Sequence, residues 1–150
     1  MPQSLSSVVL HVVFSTKDRV PNLSPEVQPL LHAYMSEVAR GQKCYCYRVG
    51  GVADHVHITV GLARTISVAD LVQEVKAASS KWVKGRAPGL REFAWQAGYG
   101  AFSITHQDLG ALLSYIDGQH EHHKRKSFKE EYLELLAEHG IEYDEKYLWD

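Results

Sequence analysis

Residues Asp54-His55-Val56-His57-Ile58-Thr59-Val60 alternate polar and apolar side chains without a break. Period two is the pattern of a β-strand with one face in a core. Val56, Ile58 and Val60 share one face, and His55, His57 and Thr59 share the other. Two residues along a strand span roughly 6.6–6.8 Å, so two imidazoles at that spacing can converge on a single ion. The apolar residue between them points into the core and holds the pair. Two solvent-facing histidines on a half-exposed sheet would show the same pattern, so the rest of the chain has to decide.

Around that strand the elements follow in a regular order. Residues 7–16 are rich in β-branched side chains and predict a buried strand, followed by a charged turn at Lys17-Asp18-Arg19. Ser24 and Pro25 suit the N-cap and first position of a helix. Leu30, Leu31, Tyr34, Met35 and Val38 carry its stripe, and Gly41 ends it. Residues 43–52 predict a second strand, linked through Gly50-Gly51 and Asp54 to the histidine strand as a hairpin. Ser67 caps a second helix running to about Lys84, with Val68, Leu71, Val72, Val75, Ala78 and Trp82 inward. After a loop at Ala87-Pro88-Gly89, residues 98–105 predict a further strand. Strand, helix, strand, strand, helix, strand is an α+β, ferredoxin-like (split βαβ) order: an antiparallel sheet with both helices on one face. The histidines are then expected on the open face. A third helix is expected from Gln107 to about His123 and a last one over 127–139.

The composition, 150 residues with 45% hydrophobic and 23% charged, suits one globular domain with a proper core. No apolar run approaches the ~18 residues needed to cross a membrane, and the N-terminal residues lack signal-peptide features. The expectation is a cytoplasmic protein with no membrane partner. Cys44 and Cys46, at i and i+2 of an extended segment, read as reduced, partly buried thiols, with a zinc pair the less favoured alternative. The net charge of −2 hides an asymmetry. Residues 130–150 hold eight carboxylates against Lys146, which leaves 15 basic and 10 acidic groups in the first 129. A mildly basic body therefore carries a strongly acidic tail.

Tyr115 and Gln119 stand at i and i+4 of the third helix, on one face and about 6 Å apart along its axis. Two imidazoles and a glutamine carbonyl are neutral, so a cation among them keeps its full charge for a bound anion. Such a site suits a phosphodiester, whose non-bridging oxygen the ion polarises. A tyrosine nucleophile, with an ordinary pKa near 10, needs that activation. Its phosphotyrosine product keeps the phosphodiester energy for a later rejoining step.

Four ordered motifs carry a family resemblance: Gly50-Gly51-Val52-Ala53-Asp54-His55-Val56-His57, Ser79-Ser80-Lys81-Trp82, Trp95-Gln96 with Gly98-Tyr99-Gly100-Ala101-Phe102-Ser103, and Tyr115-Ile116 with Gln119 and His122-His123. Together they resemble the single-tyrosine HUH transposases of the insertion sequence 200/605 type, over nearly the whole chain. The resemblance implies one transposase domain over 1–150, with a ferredoxin-like body at 1–105 and the tyrosine helix and acidic tail at 106–150. It implies Mg²⁺ or Mn²⁺ held by His55, His57 and Gln119, and Tyr115 as the nucleophile that cleaves single-stranded DNA to a 5′-phosphotyrosine. It further implies hairpin-ended DNA as partner and a homodimer in which the tyrosine helix of one subunit completes the other's site. Lys76, Lys81, Lys84 and Arg86 are the candidates for phosphate contacts, although a solvated helix face would carry the same charges. Trp95, Tyr99 and Phe102 are expected in the core or a dimer interface, and His120, His122 and His123 near the metal, supporting its ligands or binding phosphate rather than serving as ligands. A host-adopted enzyme acting on chromosomal hairpin repeats, or a catalytically silent hairpin-binding module, would share much of this pattern.

Overall fold

The computed structural model describes residues 2–150. Strands β1 (Val9–Ser15), β2 (Tyr45–Val52), β3 (His55–Gly61) and β4 (Gly100–Ile104) form one sheet in the order β2-β3-β1-β4, with every neighbour antiparallel. Helix α1 (Val27–Gly41) joins β1 to β2, and α2 (Val68–Lys84) joins β3 to β4. This is the expected ferredoxin-like topology. The central strand β1 is buried along its whole length, as its β-branched run requires. Leu10, Val12 and Phe14 of β1 join Val56, Ile58 and Val60 of β3 in a core closed by Leu31 and Met35 of α1 and Leu71, Val72 and Val75 of α2. Full burial of one such side chain contributes about 1.5–3 kcal/mol, so this core holds both helices on the sheet.

Local signals act much as the residues predict. The Ser67 hydroxyl accepts the Asp70 N–H at 3.0 Å and starts α2. The Ser24 hydroxyl accepts from Val27 N at 3.3 Å, but residues 25 and 26 form a turn and regular helix begins only at Val27. Gly50 and Gly51 are not the hairpin turn. They pair inside β2, opposite His57 and Val56, and the turn is Ala53-Asp54. Gly51 has φ 151°, and a Cβ there would lie 2.9 Å from Val56 Cα and against the His55 carbonyl. A Cβ on Gly50 would lie 3.3 Å from the Ile116 carbonyl oxygen. These two glycines let β2 close on the histidine strand and let the tyrosine-bearing helix approach the strand backbone.

The larger correction concerns the second face of the sheet. The expected helix over 107–123 is divided into α3 (Leu109–Asp117) and α4 (Gln119–His122) at Gly118, whose φ −90° and ψ 12° interrupt the helical run. Helix α5 (Phe128–Glu138) follows, then a short α6 (Glu145–Leu148). Phe128, Tyr132, Leu135 and Leu136 of α5 pack on Val13 of β1 and Phe102 of β4 in a second core. The histidine face is therefore covered rather than open, because the apolar stripe of α5 needs a partner and the sheet supplies one. His55 and His57 are both fully buried. Among the described residues no helix is long and apolar enough to cross a membrane.

Candidate metal centre and nucleophile

Strand β3 presents His55 and His57 towards α5, level with Ser15 and Val13 of β1. Glu131 reaches them from α5, itself only 1% exposed. The Nε2 atoms of His57, His123 and His55 lie 3.1, 3.2 and 3.3 Å from Glu131 Oε1. Each ring is oriented through its other nitrogen. His55 Nδ1 donates to Asp54 Oδ1 at 2.7 Å, and His123 Nδ1 donates to the Lys126 carbonyl at 2.6 Å. His57 Nδ1 shares a 2.7 Å hydrogen bond with His11 Nε2.

The helix pair supplies the remaining groups. Backbone hydrogen bonds continue across the Gly118 break, from Gly118 N to Ser114 O at 3.1 Å and from His122 N to Gly118 O at 3.0 Å. Tyr115 and Gln119 consequently stay on one face. The Tyr115 hydroxyl donates to Glu131 Oε2 and lies 3.4 Å from His122 Nε2. The Gln119 amide donates to the same Oε2 at 3.2 Å, and its carbonyl oxygen is 3.0 Å from His55 Nε2. Tyr115, His55, His57 and Gln119 thus meet at one place within a single chain. A cleft of about 350 Å³ reaches Tyr115, with His11, His122 and Glu131 also in its wall.

The electrostatics follow from burial and from this convergence. Burial pulls the His55 pKa down, but hydrogen bonds to Asp54 and Glu131 outweigh it and push it up to about 9. His57 is lowered, its burial outweighing the pull of Glu131. Burial and the neighbouring His57 hold His11 down at about 3, so it stays neutral near pH 7. Burial would raise Glu131, yet its hydrogen bonds with His123, His55 and His57 keep it ionised, well below the usual carboxylate range. Burial, then the bond to Glu131, raises Tyr115 well above an ordinary phenol. A phenol held neutral in this way would need a positive charge nearby to act as a nucleophile.

The four expected cations fall elsewhere. Helix α2 packs on the opposite face of the sheet. The Lys76 ammonium donates to the carbonyls of Gln96 at 2.8 Å, Ala97 at 3.2 Å and Gly98 at 2.6 Å. Burial lowers its pKa to about 8. It fastens the approach to β4 and is not a free phosphate contact, contrary to expectation. Arg86 stacks 3.8 Å over the centroid of Trp82, while Lys81 and Lys84 are exposed. The other motif residues prove to be scaffold. The Trp95 indole N–H donates to Ser79 Oγ at 3.0 Å, and Gln96 Oε1 accepts from Ser15 N at 2.8 Å, pinning the end of β1. Trp95 and Phe102 are buried as expected, whereas Tyr99 remains 36% exposed.

Sequence reasoning missed Glu131 and the roles of Asp54 and His11, and it placed His123 outside the donor cluster. One signal was available. Residues 128, 131, 132, 135 and 136 trace a helical stripe in which Glu131 stands among apolar residues, and a carboxylate at such a position requires a partner. Likewise His11 lies in phase with Val9 and Val13 of a buried strand.

A family model described as "Transposase IS200 like" matches residues 4–119. The chain belongs to the IS200-like transposase family. Its function is accordingly that of a DNA-binding transposase of the HUH type, acting in DNA recombination. Two solved structures share the fold. A transposase candidate from Deinococcus radiodurans R1 is 20% identical with TM-score 0.64, covering 79% of this chain and 98% of that one. A REP-associated tyrosine transposase bound to a REP hairpin is 15% identical with TM-score 0.61, covering 82% of this chain and 72% of that one. No curated protein sequence matches. The site fits the divalent ion that the family implies: one donor atom from each of His55, His57, His123 and Glu131 lies within 4.8 Å of the others. Imidazoles with a carboxylate suit a divalent transition-metal ion better than Mg²⁺.

Proposed function

We propose that this transposase cleaves and rejoins single-stranded DNA at hairpin-bearing element ends through a 5′-phosphotyrosine on Tyr115. The observation that carries the reading is the convergence of Tyr115 and Gln119, from a helix pair, on His55 and His57 of a central strand. In the cleavage step Tyr115 Oη bonds to phosphorus and the P–O3′ bond breaks. The phenolic proton is given up and the 3′-oxygen leaves to become a hydroxyl. One phosphodiester replaces another, so rejoining by a 3′-hydroxyl needs no external energy. His55 and His57 would hold a divalent cation, Mg²⁺ or Mn²⁺, which would supply the positive charge that phosphoryl transfer to a phenol needs. Glu131 accepts the Tyr115 hydroxyl and so aims it, while Asp54 and the Lys126 carbonyl keep the rings turned inward.

Lys81 and Lys84, both exposed on α2, stay the proposed phosphate contacts, with Arg86 beside them. A homodimer that exchanges the tyrosine helix also belongs to the proposal. The single chain already brings Tyr115 to its own histidines, so exchange would replace one helix by an equivalent one. The cytoplasm is the proposed working compartment.

Covalent trapping tests the reaction. End-labelled single-stranded hairpin DNA from the gene's flanks is incubated with protein and Mn²⁺ or Mg²⁺ and run on a denaturing gel. We expect a metal-dependent adduct that Tyr115→Phe abolishes. Tight hairpin binding without any adduct would instead identify a silent binding module. Mixing His57→Ala protein with Tyr115→Phe protein tests exchange: recovered adduct requires a shared site, and none indicates that each chain works alone.

A further inference from the structure

The Ser79-Ser80-Lys81-Trp82 motif is only half explained by the fold. Ser79 accepts the Trp95 indole N–H, whereas Trp82, half-buried near the end of α2, carries a guanidinium on its ring. We propose, on the hairpin-binding reading above, that Arg86 is a preset fork. Laid flat on Trp82, which Tyr34 braces, it grips one backbone phosphate of the hairpin through two N–H donors. Lys81 and Lys84 stand beside it as point charges, and Tyr34 and Trp82 are positioning residues.

Local chain geometry brings the guanidinium to the ring. Trp82 and Arg86 stand at i and i+4, the spacing at which helical side chains meet. Helix α2 ends at Lys84, yet Gly85 keeps φ −83° and ψ −3°, and Arg86 N donates to Val83 O at 3.0 Å. That turn carries Arg86 back over Trp82. The guanidinium carbon lies 3.8 Å from the Trp82 ring centroid, the closest cation–ring approach among the described residues. At that separation an edge-on guanidinium would push a nitrogen into the ring, so the group lies flat, as arginine does on aromatic faces. Trp82 is itself held from α1. Its ring and that of Tyr34 are 5.6 Å apart and within 18° of parallel.

A flat guanidinium keeps its five N–H donors in its own plane, clear of the ring. Other cations are engaged within the chain: Arg48 with Asp117, Lys124 with Glu121, Lys126 with Glu134, and Lys76 with three carbonyls. Arg86 is exposed and has no hydrogen bond or ion pair from its side chain among the described residues. No carboxylate occurs between Glu74 and Glu92, a stretch that holds five lysines and arginines. A braced, unpaired, planar cation in such surroundings favours an anion from outside the chain. Two parallel N–H···O bonds match the two non-bridging oxygens of a phosphodiester, which an ammonium meets only as a point charge.

Fluorescence anisotropy across a salt series tests the clamp with two hairpins, one from the gene's flanks and one differing in a single stem base pair. Arg86→Ala should weaken binding of each by about tenfold and lower the slope of log K against log salt by about 1. Arg86→Lys keeps the charge and loses the fork, so the slope should hold while affinity still falls by about threefold or more. Trp82→Leu should behave like Arg86→Lys. Trp82→Phe and Tyr34→Phe, which keep a ring, should bind within about twofold of wild type. Trp82→Leu placed on Arg86→Ala should add no further loss, a coupling that a merely structural role for Trp82 would not give. Arg86→Lys alters an exposed side chain, so its result stands even where Trp82→Leu misfolds. Wild-type affinity in Arg86→Lys, or a Trp82→Leu loss that adds in full to that of Arg86→Ala, would overturn the clamp and leave hairpin binding standing. A loss confined to one of the two stems would show a base contact and likewise overturn it. Wild-type protein that binds neither hairpin would bring down both the clamp and the hairpin reading.

Discussion

Asp54 shows how much a single side chain does in this site. It accepts from His55 Nδ1 at 2.7 Å, and its carbonyl accepts from Thr16 N at 2.9 Å, which ties the β2–β3 turn to the end of β1. Without its carboxylate, the buried His55 ring loses its partner at Nδ1 and the reason to keep Nε2 turned inward. Asp54→Ala should weaken Mn²⁺ binding about 10–100-fold, and Asp54→Asn, which keeps an acceptor oxygen, should lose less. Calorimetry checks both, and an alanine variant that binds like wild type would mean the sheet alone aligns the ring. The donor chemistry also separates two ions that the resemblance left equal. Mg²⁺ prefers an all-oxygen, largely hydrated shell, whereas Mn²⁺ accepts imidazole readily. Imidazole donors from His55 and His57 should therefore bind Mn²⁺ more tightly than Mg²⁺ in the same titration, and equal affinities would argue for a more oxygen-rich set.

At the scale of elements, legibility in the sequence followed periodicity. Alternation placed β3, the β-branched run placed β1, and the Ser67 cap placed α2, because each signal is local and its burial partner is the core itself. Helix α5 was legible as a helix, but its destination was not. Nothing local says which sheet face an amphipathic stripe will cover, so the expectation of exposed histidines failed where tertiary packing decided. The same limit hid the break at Gly118, since a glycine lowers helix stability by only about 1 kcal/mol and contacts on both sides settle the outcome. Helix α5 begins with a reciprocal cap: Ser127 Oγ accepts from Glu130 N at 3.2 Å, and Glu130 Oε1 accepts from Ser127 N at 3.4 Å. Ser127→Ala should cost about 1 kcal/mol and fray the turn that carries Glu131. Hydrogen exchange should then rise over 128–132 while β1 and β3 stay protected. Unchanged protection in α5 would show that its apolar stripe alone fixes the first turn.

Across the whole molecule the candidate phosphate contacts and Tyr115 lie on opposite faces of the sheet. Lys81 and Lys84 lie on α2, and Tyr115 lies on the far side of the sheet, where Asp108, Glu134 and Glu138 line the cleft that leads to it. A DNA strand that meets both regions has to pass around the sheet, from the exposed lysines of α2 to a cleft edged by carboxylates, of which Glu134 is paired with Lys126. Phosphate contacts on α2 should govern affinity and its salt dependence, while the acidic rim resists any strand not already held there. Two charge changes separate these roles. Lys81→Gln with Lys84→Gln should weaken hairpin binding and reduce the slope of log K against log salt by about 1–2, the share of two released counterions. Glu134→Gln with Glu138→Gln should instead strengthen binding of unstructured single strands. That gain should shrink as salt rises, because the screening length is about 10 Å at 0.1 M. Fluorescence anisotropy across a salt series reads both variants. A rim variant that binds unstructured strands no better than wild type would mean the strand enters by another route, and the acidic segment would then serve the fold of α5 rather than the selection of DNA.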